Sequence, residues 1–177
     1  MTKDKIKKEE LLKGIADKDT SVQIKAIKKC KKQGSKEVIR PLLELYVASN
    51  DEDVKNEIIG LLSELKDSAS GDESLSFLLT NDDSLIKSNV LNSMWNSSLD
   101  YSEKTAPIVK IGLSGDFMTL FEAFTIIENL KGPFEEADIM DAMLYIKEYI
   151  HHGEHDEERL KLANDLIYIL DHFSSTV

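Results

Sequence analysis

Cysteine is nearly absent from this chain, and the long apolar segments of membrane proteins are missing. Among 177 residues only Cys30 is a cysteine. This excludes an internal disulfide and a zinc site of several cysteines, and it favours a reducing, cytoplasmic location. No apolar run approaches the ~20 residues that cross a bilayer. The opening segment MTKDKIKKEE is charged throughout, so we expect neither a signal peptide nor a membrane span.

Basic residues are too few to balance the acidic ones. Lysine and arginine number 22 against 33 aspartates and glutamates, which gives a net charge of −11, and Arg40 and Arg159 are the only arginines. An acidic surface repels a phosphate backbone, and guanidinium is the side chain best suited to phosphate. The composition therefore argues against a nucleic-acid partner.

Motifs that carry chemistry are lacking as well. The sequence contains no GxxxxGK[ST] or GxGxxG string for nucleotides and no nucleophile-elbow string. Cys30 takes a place in a helical apolar pattern, which predicts a small buried side chain rather than a nucleophile. We therefore predict a non-enzymatic protein without a cofactor, and we assign no catalytic residue.

The chain does contain an apolar pattern that recurs every 32 residues. The first aligned position is occupied by Val22, Val54, Ile86 and Met118. Three residues earlier stands an aspartate in three copies and a glycine in the fourth: Asp19, Asp51, Asp83 and Gly115. Glu122 is the one clear breach of the apolar pattern. Recurrence at a fixed period is typical of a repeat protein.

Within each copy the apolar spacing is i, i+4 and i+7 or i+8, which predicts helices and no strands. Each copy has room for two helices, so we expect an all-α fold of about five antiparallel helix pairs in a single domain over residues 1–177. The predicted units are 1–34, 35–66, 67–98 and 99–132, followed by a longer pair over 133–177. A terminal unit that departs from the consensus is typical of a cap.

The string VIRPLLELYVASNDEDVKNEIIGLLSEL resembles a HEAT-like repeat of the short HEAT or armadillo type. The proline of the family's first helix matches Pro41, its turn aspartate matches Asp51, and its valine-basic pair matches Val54 and Lys55. The resemblance extends over about Lys8 to Leu170. It implies a curved α-solenoid that binds proteins or peptides, and it brings no catalytic residues with it.

In such a solenoid the second helix of each pair lines one face. The helical period predicts that this face becomes apolar toward the carboxyl end. The predicted partner-binding patch comprises Leu91, Trp95, Leu120, Phe124, Ile127 and Tyr168. A contiguous exposed apolar patch usually marks an interaction site. The alternative is that the longer last pair covers these residues and makes them core.

The amino-terminal end is basic. Residues 1–40 carry 13 lysines and arginines against 6 acidic residues, and we predict that Lys25, Lys28 and Lys31 dock an acidic segment of a partner. The partner's apolar part would then lie on Trp95 and on the aromatic residues that follow it. The alternative for the lysines is a solvated basic helix without a partner.

Two further functions stay open as alternatives. His151, His152 and His155 are the only clustered histidines of the chain, and imidazoles hold zinc or nickel. We assign no metal site to them because Gly153 interrupts the helix that would align them; a metal-binding protein or enzyme using this turn is the first alternative. A nucleic-acid-associated or DNA-mimic protein of the HEAT-like type is the second.

Overall fold

The computed structural model describes residues 3–33, 35–153 and 155–175, and over these ranges it is built from α-helices without a β-strand. The all-α prediction is therefore confirmed. The helices of the described residues are α1 (Lys3–Ile15), α2 (Thr20–Gln33), α3 (Ile39–Ala48), α4 (Glu52–Leu62), α5 (Ser68–Leu78), α6 (Ser84–Trp95), α7 (Thr105–Leu113), α8 (Phe117–Glu128), α9 (Glu136–His152) and α10 (Glu157–Ser174). None of them is long and apolar enough to cross a lipid bilayer.

Prolines stand in the first turns of two helices. Pro41 is the third residue of α3 and Pro107 the third residue of α7. A first-turn N–H has no partner within its helix, so proline costs little there. A short 3-10 turn, Lys36–Val38, precedes α3, so the α-helix starts two residues before Pro41.

Aspartates begin the even-numbered helices. Asp51 Oδ1 accepts hydrogen bonds from the N–H groups of Asp53 and Val54 at 2.9 and 3.2 Å. Asp83 Oδ1 accepts in the same way from Leu85 and Ile86. These bonds satisfy N–H groups that have no partner within the helix. The turn aspartates of the repeat pattern therefore act as helix caps.

The fourth copy of the pattern is shifted by one residue. Asp116, not Gly115, caps α8, where it accepts a hydrogen bond from the N–H of Thr119 at 2.9 Å. Thr119 is fully buried, whereas its neighbour Met118 is 48% exposed. The 32-residue alignment gives Met118 the same apolar position as the buried Val54, but in the structure Thr119 takes the buried place.

The same shift removes the breach at Glu122. Ala123 is fully buried and takes the core position, while Glu122 is half-buried and accepts a hydrogen bond from Asn92 Nδ2 at 3.1 Å. The carboxylate of Glu122 therefore does not lie in the core, contrary to what the alignment implied.

The chain divides into two compact units. Unit 1 comprises Met1–Phe77 and Asn96–Leu99, and unit 2 comprises Leu78–Trp95 and Asp100–Val177. In unit 1, α2 packs against α1 and α4, and α3 packs against the same two helices. A Cβ added at Gly14 would lie 2.7 Å from Cβ of Ala26, so α1 and α2 approach as closely as they do only because residue 14 is glycine.

In unit 2, α8 packs against α6, α7 and α10, and α9 packs against α7 and α10. Here a Cβ added at Gly112 would lie 2.6 Å from Cβ of Ala123. The core of this unit is aliphatic, and its fully buried members include Val90, Leu91, Ile108, Ile111, Leu120, Ile127, Ile139, Ile146, Leu166 and Leu170. Helix α8, with neighbours on three sides, leaves one side for solvent.

Candidate functional site

Half of the predicted apolar patch lies in the core of unit 2. Leu91, Leu120 and Ile127 are fully buried, so the prediction that they face a partner is wrong. For Leu120 and Ile127 the cause is the one-residue shift. An alignment that takes Asp116 as the cap of α8 moves both residues toward the packed side of that helix. Leu91 stands next to Val90 on the packed side of α6.

The other three members of the patch remain accessible to different degrees. Trp95, the last residue of α6, is 41% exposed, and Tyr168 on α10 is 75% exposed. Phe124 on α8 is half-buried. Since α8 packs against both α6 and α10, these side chains belong to three adjoining helices. Only Trp95 and Tyr168 offer large exposed surfaces.

A different set of apolar side chains is exposed at the starts of α6 and α8. We call the exposed Leu85, Met118 and Phe121, together with the half-buried Phe117, the helix-start patch. Leu85 is 68% exposed and Phe121 is 43% exposed. The rings of Phe117 and Phe121 stack with their centroids 6.2 Å apart. Large apolar side chains grouped in this way in solvent are typical of an interaction surface.

Hydrogen bonds hold the two helix starts together. The N–H of Asp116 donates to Ser84 Oγ at 3.2 Å, and Thr119 Oγ1 donates to the carbonyl oxygen of Ser84 at 3.0 Å. Leu85 follows Ser84 directly, and Met118 directly precedes Thr119. Leu85 and Met118 are therefore each the chain neighbour of a residue that joins the two helix starts.

Carboxylates precede both helices that carry the helix-start patch. Asp82 and Asp83 precede α6, Asp116 precedes α8, and all three are exposed. The backbone N–H of Thr119, hydrogen-bonded to Asp116, lowers the pKa of that carboxyl below its ordinary value. Unit 2 as a whole contains 18 acidic residues and 7 basic ones. The patch is thus apolar and is flanked in the chain by acidic residues, and we call Asp82, Asp83 and Asp116 its rim.

Two cations near this rim are turned toward the backbone. Lys87 is buried, and its Nζ donates to Ser114 Oγ at 3.0 Å. Arg159 donates from a terminal nitrogen to the carbonyl oxygen of Gly115 at 2.7 Å. Both side chains stabilise the turn between α7 and α8. Their hydrogen bonds are directed at that turn, and the charge of Arg159 also helps to lower the pKa of Asp116.

The sequence held one signal for the helix-start patch. Asp116 stands immediately before an apolar run with a hydroxyl side chain three residues on, which is a pattern typical of a capped helix start. Alignment on Asp116 instead of Gly115 predicts Phe121 on the solvent side of α8. The fixed 32-residue spacing hid this signal.

The basic end belongs to unit 1, and two of its three predicted residues are ion-paired. Lys28 Nζ lies 3.1 Å from Glu57 Oε1, and Lys31 Nζ lies 3.1 Å from Glu64 Oε1. Lys25 is exposed, and its charge contributes to a lowered pKa of Asp19, after the hydrogen bonds that Ser21 donates to that carboxylate.

Lys25 and two further lysines of α2 form a basic row. Lys25, Lys29 and Lys32 are spaced by four and three residues and are all exposed. This spacing places them along one side of the helix. The row, rather than the paired Lys28 and Lys31, is the part of the basic end that is open to an acidic segment.

In the turn between α9 and α10, a tyrosine packs against one of the three clustered histidines. The ring of His155 stacks on Tyr149 with the centroids 3.6 Å apart, and His155 Nε2 lies 2.8 Å from the carbonyl oxygen of Tyr149. His151 and His152 lie edge to face at 4.9 Å. Over residues 3–33, 35–153 and 155–175, no three histidine, cysteine, aspartate or glutamate side chains gather in a metal-binding group.

Cys30 lines a cavity of about 580 Å³ in unit 1, together with residues that include Lys31, Glu64 and Leu65. The thiol is buried, and burial raises its pKa to about 11. The thiolate is the nucleophilic form of cysteine. Cys30 is therefore protonated at neutral pH and is a poor nucleophile, as its place in the apolar pattern indicated.

No protein-family model, curated protein or solved structure matches this chain. The HEAT-like family therefore stays a prediction from the sequence. The exposed apolar and basic side chains of the two units are the features that indicate a function.

Proposed function

We propose that the chain is a HEAT-like α-solenoid that acts as a non-enzymatic, cytoplasmic scaffold for protein interactions. The order of helix contacts supports this architecture, because even-numbered helices pack on one another in each unit: α2 on α4, and α8 on α6 and α10. Odd-numbered helices do the same, with α1 on α3 and α7 on α9. Within each unit, stacked helix pairs of this kind present one face to a partner.

The helix-start patch is the observation that carries the proposal. Leu85, Met118 and Phe121 each expose at least two fifths of their surface, although ample aliphatic core lies directly beneath them. Burying such side chains against a partner is favourable by about 25 cal/mol per Å² of apolar surface. Interfaces take most of their energy from a few anchors of this type.

A second contact is favoured by the row of Lys25, Lys29 and Lys32. We propose that these lysines attract an acidic segment of the partner. Replacing Lys25 and Lys29 with glutamine should reduce the association rate at low salt more than it changes the dissociation rate, because exposed charges mainly act through steering. Stopped-flow measurement with an isolated partner checks this, and equal rates for both proteins would remove the row from the proposal.

The patch is tested by affinity capture with matched variants. The test variant carries Met118→Gln and Phe121→Gln, which keep helix propensity and remove exposed apolar surface. The control carries Met140→Gln and Leu144→Gln, two exposed apolar residues of α9 in the same unit. Both variants are first shown to be folded by circular dichroism and by their unfolding midpoints.

We expect the wild type and the α9 control to retain the same specific partners and the patch variant to lose them. Each lost anchor should weaken binding by on the order of 2 kcal/mol. Retention of every partner by the folded patch variant would show that unit 2 does not bind through this patch.

A further inference from the structure

We propose that the helix-start patch receives an amphipathic helix whose apolar face is flanked by lysine or arginine. This inference rests on the proposed function and names the chemistry of the partner. It predicts that unit 2 selects a basic segment, whereas the lysine row of unit 1 attracts an acidic one.

The dimensions of the patch favour a helix as the occupant. Phe117 and Phe121 stand one helical turn apart on α8, Met118 lies on the same helix, and Leu85 stands at the start of α6, which packs against α8. A partner helix offers its anchors at i, i+3, i+4 and i+7, with a spacing of one turn between successive anchors. Two or three such anchors cover the stacked rings and the two aliphatic side chains beside them.

The charge of the rim determines the polar residues of that helix. Asp82, Asp83 and Asp116 are exposed and flank members of the patch in the chain. The cations Lys87 and Arg159 donate their hydrogen bonds to the α7–α8 turn, and of the two only Arg159 acts on one of these carboxylates, that of Asp116. An acidic or neutral helix would bring no cations to these carboxylates. Lysine or arginine beside the anchors would pair with them and would also be drawn by the excess of acidic residues in unit 2.

Two synthetic peptides of about 18 residues, long enough for five helical turns, serve as probes. They share leucines at i, i+3, i+4 and i+7, and they differ only in carrying lysine or glutamate on the polar face. Binding to the full chain is followed by fluorescence anisotropy at about 50 mM and about 300 mM salt, which differ in screening length.

Matched variants separate the rim from the overall charge. Asp82→Asn, Asp83→Asn and Asp116→Asn remove three rim charges, and asparagine still caps helices. The control removes three exposed charges elsewhere in unit 2 through Glu103→Gln, Asp141→Asn and Glu148→Gln. Both proteins therefore have the same net charge.

We expect the lysine peptide to bind the wild type more tightly than the glutamate peptide, and more tightly at low salt. The rim variant should bind it about tenfold more weakly than the charge control does, which corresponds to three exposed ion pairs. Met118→Gln with Phe121→Gln should also weaken it, while Met140→Gln with Leu144→Gln should leave it unchanged.

Three results would overturn the inference: no binding of the lysine peptide, equal or tighter binding of the glutamate peptide, or equal losses in the rim variant and the charge control. The affinity capture described above decides separately whether the patch binds a protein at all. A patch that captures partners but prefers the glutamate peptide would leave the scaffold function standing and remove only the basic helix.

Discussion

Units 1 and 2 each contain a close glycine–alanine contact between two helices, but they differ in the charge of their residues. Gly14 against Ala26 and Gly112 against Ala123 each allow an odd-numbered helix to lie close to the helix that follows it. Unit 1 has 15 basic and 15 acidic residues, whereas unit 2 has 7 and 18, so the entire net charge of −11 belongs to unit 2. Small residues at a buried contact therefore preserve the packing while the exposed positions diverge.

The polar contacts between helices differ in the same way. Unit 1 joins α2 to the α4 region through surface ion pairs such as that of Lys28 with Glu57. In unit 2, Asp138 on α9 accepts hydrogen bonds from the N–H groups of Thr105 and Ala106 at the start of α7, at 2.6 and 3.2 Å. Exposed ion pairs contribute little to stability, whereas charged groups bonded to partly buried N–H groups contribute more. Unit 2 should therefore depend more on its polar contacts.

The largest effect is expected from the buried side of α8. Leu120→Ala should lower the free energy of unfolding by about 3 kcal/mol because it leaves a cavity in the core. The adjacent exposed change Phe121→Ala should lower it by less than about 1 kcal/mol. Urea unfolding of both variants measures the difference, and the reverse order would contradict the one-residue shift.

Much of the fold could be predicted from local sequence signals. The apolar spacing acts through contacts within a few residues, and the all-α prediction drawn from it is confirmed. The caps Asp51 and Asp83 and the first-turn prolines act over the same short range. The exposed patch could not be predicted in the same way, because a fixed spacing carries an error forward. One extra residue before Asp116 rotates α8 by about 100° relative to the predicted register. Phe121 therefore lies at the surface, where the alignment predicted Leu120.

The next largest effect concerns the cap that α9 supplies to α7. Asp138→Ala should lower the free energy of unfolding by about 1–2 kcal/mol, since two N–H groups lose their acceptor. Asp138→Asn should lower it by less, because the amide oxygen can still accept one of the two hydrogen bonds. Differential scanning calorimetry of both variants checks this order. Equal losses would mean that the charge, rather than the hydrogen bonds, stabilises the contact.

A smaller effect is expected in unit 1. Glu57→Gln and Glu64→Gln should each change the free energy of unfolding by less than about 1 kcal/mol, as is usual for exposed pairs. The double variant frees Lys28 and Lys31, so it should bind an acidic peptide more tightly than the wild type at low salt. Titration calorimetry checks this, and unchanged affinity would show that these two lysines lie outside the contact.

The smallest effect is the response of α8 to acid. The hydrogen bond from Thr119 lowers the pKa of Asp116 from its ordinary value of 3.8, so ionised Asp116 stabilises the fold at and above that pH. This stabilisation is lost as the pH falls through the lowered value. Asp116→Asn should therefore flatten the fall in stability below pH 3.8 while changing little at neutral pH. Identical acid profiles for both proteins would contradict the assignment of the cap.

The buried thiol of Cys30 has a practical consequence. Because the side chain is shielded and protonated at neutral pH, a thiol-specific label can attach only when the surrounding helices open. The labelling rate of the unmodified protein therefore measures how often the helices around Cys30 open in unit 1. Unit 2 has no cysteine, so an engineered thiol there would let the opening of each half be timed independently.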